Sequence, residues 1–236
     1  MPVRLAAVTF DADDPARLAA FWAGVLGRSL VAEGAGVLLP GTDTQLGLRF
    51  VAASTATPGP SWLHLHLTSA SPEDQRHTVE TVVAAGGRHV DVGQRPEEGH
   101  VVLADPEGNE LCVIEPGNRF LAGCGFLGEI ACDGSRDVGL FWRDALAWPL
   151  VWDHDGETAV QSPRGGTKVA WGGPPVAPKH DRARQRFDLE APDPAAEVAR
   201  LVALGARELG DRDGRIELAD PDGNAFAIRP DRPPTS

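Results

Sequence analysis

Apolar residues along the chain follow two spacings, one typical of helices and one typical of strands. Leu18, Phe21 and Trp22 begin a series with helical spacing, which predicts a helix that is capped by Asp14 and has Pro15 at its first position. Strict alternation at 62–68 predicts a strand with one apolar face. Read in this way, the first half of the chain is a strand, a helix and three short strands, followed by the same series again.

The second half repeats these elements with the same punctuation. The pentapeptide Asp-Pro-Glu-Gly-Asn at 105–109 returns at 220–224 as Asp-Pro-Asp-Gly-Asn, and the pair Phe21-Trp22 returns as Phe141-Trp142. Landmarks that recur in the same order indicate tandem copies of one unit. We therefore predict a first domain at 1–117, a linker at 118–125, a second domain at 126–230 and a loose tail at 231–236.

Composition narrows the classes of partner. The formal net charge is −12 and no basic stripe offsets it, which argues against a nucleic acid partner. No apolar run approaches the roughly 18 residues of a membrane span, so we expect no membrane partner. The three cysteines, Cys112, Cys124 and Cys132, show no paired spacing. This pattern fits a reducing cytoplasm, and the expected partner is a small molecule.

The motifs together resemble the vicinal oxygen chelate superfamily, the group of glyoxalase I, bleomycin-resistance proteins and extradiol dioxygenases. The resemblance rests on four strand-helix-three-strand units, on Phe-Trp in a helix and on the Asp-Pro-Glu/Asp-Gly-Asn hairpin loop. It implies an α+β fold in which four βαβββ units form two tandem glyoxalase-like domains, with curved mixed sheets around a ligand cup. It also implies either a monomer that acts as a pseudo-dimer or a homodimer.

Strand alternation predicts which side chains face a cup in each half. Leu63, Leu65 and Leu67 share the core face of their strand, which leaves the opposite face polar. The candidate ligand-binding residues are Gln45, Arg49, Trp62, Glu110 and Cys112 in the first half and Glu129, Arg186 and Asp188 in the second. The candidate catalytic residues are His64 and His66. Arg186 and Asp188 are predicted to form an internal ion pair.

The resemblance also raises the question of a metal. Superfamily members with metal chemistry use His and Glu ligands at positions that fall here on Ala7, His64, Cys112, Glu129, Arg186 and Ala227. Two alanines and an arginine leave too few donors, so no metal is expected. Should a site exist, it would combine His64 with His66, Glu110 or Cys112 around Zn²⁺, Ni²⁺, Mn²⁺ or Fe²⁺.

Three functions fit these residues. The leading hypothesis is metal-independent binding of a small planar or polar molecule, with Trp62 as a stacking surface and Trp152 or Trp171 closing the rim. The first alternative is a metal-dependent lyase, isomerase or extradiol-type dioxygenase that uses His64. The second alternative is a metal-free acid-base enzyme that uses His64 or His66.

Overall fold

A computed structural model describes residues 3–53, 61–95, 97–176, 183–212 and 214–231. Of the predicted tail, only Asp231 lies within the described residues. Within the described ranges the chain forms four units, each a strand followed by a helix and three strands. The predicted α+β fold of four βαβββ units is confirmed.

The elements follow one another in the predicted order. The first unit contains β1 (Arg4–Ala12), α1 (Pro15–Leu26), β2 (Val31–Glu33), β3 (Gly36–Leu39) and β4 (Gly47–Ala52). The second contains β5 (Leu63–Leu67), α2 (Pro72–Ala84), β6 (Arg88–His89), β7 (Val101–Ala104) and β8 (Glu110–Val113). The third contains β9 (Leu127–Cys132), α3 (Arg136–Leu146), β10 (Leu150–His154), β11 (Glu157–Gln161) and β12 (Lys168–Trp171). The fourth contains β13 (Gln185–Ala191), α4 (Pro194–Ala203), β14 (Arg207–Arg212), β15 (Arg215–Ala219) and β16 (Ala225–Pro230).

The first helix shows why its boundaries could be predicted. The Asp14 carboxylate accepts a hydrogen bond from the backbone N–H of Arg17, and Pro15 occupies the first turn, where no intrahelical donor is needed. Gly27 ends the helix at φ 64°, in the left-handed region that glycine adopts without a Cβ clash. Ser71, Ser135 and Asp193 cap the other three helices with the same side chain to backbone bond.

The four units combine into two open eight-stranded sheets, and each sheet takes one unit from each half of the chain. The first sheet has the order β14-β15-β16-β13-β1-β4-β3-β2, and the second has the order β10-β11-β12-β9-β5-β8-β7-β6. The junctions are antiparallel, with Val8 opposite Phe187 in the first sheet and Leu65 opposite Ile130 in the second. The expectation that each half builds its own cup is therefore wrong: unit one pairs with unit four, and unit two with unit three.

The two sequence landmarks of each half contact one another. Trp22 Nε1 donates to Asp105 Oδ2 at 3.1 Å, and Trp142 Nε1 donates to Asp220 Oδ2 at 3.2 Å. The Glu107 carboxylate accepts from the backbone at the start of α1, and Asp222 accepts from Ser135 at the start of α3. These bonds tie the first helix of each half to its last hairpin. The domain boundaries themselves stay a prediction.

One hydrophobic core contains side chains from all four units. Leu63, Leu65 and Leu67 are buried in it, as alternation predicts, and Val8 and Phe10 join them from β1. The opposite face of each sheet, which we call its cup face, carries the polar residues. Among the described residues no helix is long and apolar enough to cross a membrane.

Candidate functional site

Two transverse rows of side chains cross the cup face of the second sheet, because directly paired residues on adjacent strands point to the same side. The inner row contains Cys112 on β8, His66 on β5, Glu129 on β9 and Lys168 on β12. The outer row contains Glu110, His64, Ala131, Ala170, Ala159 and Trp152. Residues that are distant in the sequence, from both halves of the chain, thus meet on one surface.

His66 lies between two neighbours in the inner row. Its Nδ1 lies 2.7 Å from Glu129 Oε2, and Cys112 is its paired neighbour on β8. Burial disfavours the charged imidazole, but the neighbouring Cys112 and Glu129 outweigh it and raise the pKa of His66 to about 10. His66 is therefore held as a cation against the Glu129 carboxylate at neutral pH.

This ion pair gives the stability of the protein a defined pH dependence. The pKa of His66 rises from 6.5 to about 10 on folding, so its contribution is fully present below pH 6.5 and is lost as the pH rises toward 10. We expect the difference in free energy of unfolding between the wild type and Glu129→Gln to be largest near pH 6 and to shrink toward pH 10. Urea denaturation across this range measures it. A difference that grows with pH would contradict the assignment.

His64 lies in the outer row, and its pKa is shifted in the opposite direction from that of His66. Its Nε2 lies 3.2 Å from Glu110 Oε2, and 37% of its side chain is exposed. Burial lowers the pKa of His64, and the neighbouring His66 adds to that effect, while Glu110 and Asp133 oppose it. The imidazole is thus neutral at pH 7, next to a carboxylate, and it can accept a proton or a hydrogen bond from a molecule in the cup.

The outer row forms a trough between His64 and Trp152. Its floor is the partly exposed pair Ala131 and Ala170, whereas Ala159, next to Trp152, is fully buried. Trp152 stands at the β10 side of this floor with 42% of its surface exposed, and its ring packs edge-on against Phe120 at 5.8 Å. The exposed part of the indole offers a surface on which a flat molecule can stack.

Residues of the predicted linker cover the inner row. Lys168 donates to the backbone carbonyl of Phe120, and its ammonium lies 4.2 Å from the centre of that ring. Leu121 and Cys124 are buried in a small cluster with Cys112. The segment at 118–125 therefore covers the inner row and closes one side of the trough.

The first sheet carries a different set of charges on its cup face. Arg49 is ion-paired with Asp188 and with Glu33, and Thr9 donates to the same Asp188 oxygen at 2.7 Å. The sequence predicted that Arg49 and His64 share a cup, and this prediction is wrong because β4 and β5 belong to different sheets. The predicted pair of Arg186 with Asp188 is also wrong: Arg186 Nη1 lies 2.6 Å from Asp11 Oδ1.

The remaining charges of the first sheet continue this network. Arg229 contacts Glu33 at 2.6 Å and Glu190 at 2.8 Å, and Arg4 contacts the second oxygen of Glu190. A cavity of about 820 Å³ opens beside Arg4, Arg49 and Glu190. The charged side chains on its wall are ion-paired with one another, so they contribute little to binding and orienting a ligand. For that reason we favour the trough of the second sheet as the site, and not this cavity. A further cleft of about 420 Å³ lies near residue 125 and is smaller than this cavity.

Two predicted ligand-binding residues have structural contacts instead. Trp62 precedes β5 and its ring is buried in the core, where it packs edge-on against Phe187 and donates to the carbonyl of Gln185. The prediction that Trp62 faces the cup is therefore wrong. The Gln45 amide bonds the backbone of Cys124 and Leu127, which anchors the linker to the first unit.

Within the ranges that the structure describes, no three His, Cys, Asp or Glu side chains are grouped as metal ligands, and this includes the combination of His64 with His66, Glu110 or Cys112. The fourth position of the inner row is Lys168, a cation, and Glu129 is already engaged by His66.

Lys168 and Ala170 of this cup were not among the predicted site residues, although the sequence pattern indicates which face of the strand they occupy. Lys168 and Ala170 alternate with Val169 and Trp171, which marks the first two as one face of a strand and Trp171 as core. Trp152 was considered only as a rim residue. Neither could be placed beside His64 without knowing that β9 pairs with β5.

Comparison with known proteins gives the family and the fold. The profile of the glyoxalase-like domain matches residues 7–114 and again residues 129–229. A mutant of glyoxalase I from Zea mays superposes with a TM-score of 0.68 at 15% identity, over 96% of this chain and 92% of that chain. A putative dioxygenase from Bacillus subtilis gives a TM-score of 0.61 at 16% identity, over 96% of this chain and 84% of that chain. Curated proteins give no match. At such identities the similarity shows the fold alone.

Proposed function

Because the chain belongs to the glyoxalase-like domain family, whose profile matches both halves, we propose that it binds a small planar molecule with polar substituents on the cup face of its second sheet. The observation that carries this proposal is the outer row, which places the partly exposed Trp152 at one end and His64 with Glu110 at the other, with Ala131 and Ala170 partly exposed between them. The indole offers a stacking surface, and the imidazole and carboxylate offer hydrogen bonds that orient the ligand.

We propose that binding needs no divalent metal, because the inner row places Lys168 beside Glu129 and pairs Glu129 with His66. An ion in that row would compete with two cationic side chains for one carboxylate. The same reasoning disfavours a metal-dependent lyase or dioxygenase. We also place the protein in a reducing cytoplasm, since no disulfide joins its three cysteines, all of which lie in described segments.

The proposal predicts which tryptophan the ligand needs. A planar aromatic compound selected from a thermal-shift library should bind Trp152→Ala about fivefold more weakly than the wild type, because loss of a stacking partner costs about 1 kcal/mol. Isothermal titration calorimetry of both proteins, after dialysis against EDTA, measures the change.

Val151 supplies the matched control for this experiment. It is the neighbour of Trp152 on β10, is 40% exposed and has no aromatic ring on which a ligand could stack. Val151→Ala should therefore leave the affinity unchanged. Equal losses in the two variants would place the ligand away from the trough, and binding that disappears with EDTA would favour a metal-dependent function.

A metal-free acid-base enzyme is the second candidate, and the contact between His64 and Glu110 favours it. A neutral imidazole that is oriented by a carboxylate can take a proton from a bound substrate. Mass spectrometry of the bound compound distinguishes the two functions. An unchanged compound supports binding alone, whereas conversion that is lost in His64→Gln supports catalysis.

A further inference from the structure

The cleft of about 420 Å³ lies where unit one, the residues at 123–126 and the β11–β12 loop at 164–166 meet. Unit one contributes the region around the end of α1 and the segment before β4. Thr44, Gly123 and Arg164 are exposed among the lining residues, so the cleft is open to solvent. None of the residues that line it belongs to the outer row of the trough, and the cleft is therefore a separate cavity.

The charged side chains of this cleft have one sign. Arg28 and Arg164 line it, and none of the described residues that line it is acidic. The protein as a whole has a formal net charge of −12, so the cleft contrasts with the overall charge. Two guanidinium groups around one small cavity create a local positive potential that attracts small anions.

Arg28 is partly buried beside neutral oxygens. Its Nη1 donates to the backbone carbonyl of Leu46 at 2.7 Å, and its Nη2 lies 3.4 Å from Gln45 Oε1. Within the described segments no carboxylate pairs with this guanidinium, and burial lowers the pKa of Arg28. Arginine nevertheless stays protonated in proteins, and its planar fork carries five N–H donors. Arg28 therefore keeps both an uncompensated charge and free donors for an oxyanion.

Arg164 places a second guanidinium at the mouth of the cleft. Its Nη1 lies 3.3 Å from Asp43 Oδ1, but 69% of the arginine side chain and 85% of the aspartate side chain are exposed. Exposed ion pairs of this kind contribute little free energy because water screens them. An anion in the cleft can therefore compete with Asp43 for Arg164.

Close contacts hold the walls of the cleft in position. Gln45 Nε2 donates to the carbonyl of Cys124 at 2.8 Å, and its Oε1 accepts from the backbone N–H of Leu127 at 2.9 Å. The β11–β12 loop approaches unit one so closely that a Cβ on Gly166 would lie 1.7 Å from the carbonyl oxygen of Thr44. A site whose walls are fixed before binding loses less conformational entropy when a ligand enters.

We propose that this cleft binds a small organic oxyanion, a molecule that carries a carboxylate or a phosphate group, with Arg28 as its main contact and Arg164 as a second contact at the mouth. Leu26 and Phe126 are partly exposed in the lining and offer apolar contacts to the carbon part of such a ligand. The inference does not rest on the proposed function of the trough.

Benzoate and phenyl phosphate are suitable probes, because they present the two oxyanions on the same ring, and benzamide is their neutral control. Isothermal titration calorimetry should show that the wild type binds at least one of the two anions more tightly than benzamide. Arg28→Met should weaken this binding about tenfold or more, because charge-assisted hydrogen bonds are lost. Arg28→Lys should recover part of the loss, since it retains the charge without the planar fork. Absence of binding by both anions, or binding that Arg28→Met does not change, would overturn the proposal.

Arg164→Met provides a second variant at an exposed position, where folding is not at risk, and it should weaken binding two- to fivefold. Arg95→Met is the matched control. Arg95 is 71% exposed and pairs with Glu98 at 3.3 Å, the same separation as in the pair of Arg164 with Asp43, and either change removes one positive charge. Arg95→Met should leave the affinity unchanged. Equal losses in these two variants would show a response to net charge alone and would overturn the proposal.

Trp152→Ala separates this site from the trough. The variant should bind benzoate and phenyl phosphate as tightly as the wild type, because Trp152 does not line the cleft. An affinity that falls in Trp152→Ala and not in Arg28→Met would place the anions in the trough. That result would overturn this inference and leave the proposed function intact, so the two proposals can fail independently.

Discussion

Replacing Trp142 with alanine is expected to lower the free energy of unfolding by about 3–5 kcal/mol, the usual range for removing a fully buried tryptophan. The indole packs against Phe187 at 5.1 Å and Phe226 at 5.0 Å, so α3 of unit three is joined to the strands of unit four. Its N–H also donates to Asp220, whose pKa burial raises to about 6. The variant loses apolar packing and a donor to a buried carboxylate at once.

Chemical denaturation of the wild type and Trp142→Ala measures this loss, and Trp152→Ala is its control. Trp152 is 42% exposed, so its removal should change the free energy of unfolding by only about 0.5 kcal/mol. Trp142→Phe should give an intermediate value, since it retains ring packing but loses the N–H. Similar losses in the two alanine variants would show that Trp142 does not join the units as described.

The contrast between these tryptophans shows which parts of the fold the sequence could predict. Helical spacing around Phe141 and Trp142 identifies a core face, and strand alternation around Leu65 does the same. Such patterns depend on local geometry, since a side chain faces the core or the cup according to its place in a short element. The repeat then fixes the number and order of the units.

The sequence could not predict which units share a sheet. Unit one could pair with unit two or with unit four, and the apolar faces of β1 and β5 would be buried in either arrangement. Alternation gives the face of a residue but not its neighbour on the next strand. As a result, Arg49 was grouped with His64, and the contact of Glu129 with His66 was missed.

The prediction that Trp62 faces the cup was wrong for a different reason. Its position in the alternating run places it on the face of His64, but β5 begins at Leu63 and the rule does not hold beyond the end of a strand. The ring packs into the core against Phe187. Sequence patterns are least reliable at element ends, and here a one-residue difference exchanged a proposed ligand contact for a packing contact.

The cup of the first sheet provides the second large expected effect. Arg49→Met should lower the free energy of unfolding by about 3–5 kcal/mol, because removal of one partner leaves a buried charge without compensation. Asp188 is almost fully buried, and its Oδ2 contacts both Arg49 and the Thr9 hydroxyl. In the variant this oxygen would keep the bond from Thr9, and Glu33 would keep its bond to Arg229. Urea denaturation at neutral pH measures the loss.

Arg95 offers a matched arginine for comparison, since it pairs with Glu98 at 3.3 Å while 71% of its side chain is exposed. Arg95→Met should cost about 0–1 kcal/mol, as exposed ion pairs do. Combining Arg49→Met with Asp188→Leu should recover part of the loss, because the second change removes the uncompensated carboxylate and the two sites are coupled by about 0.5–3 kcal/mol. If Arg49→Met costs no more than Arg95→Met, water must solvate the network. The first cup would then be open to a ligand, and the site would have to be sought there as well as in the trough beside Trp152.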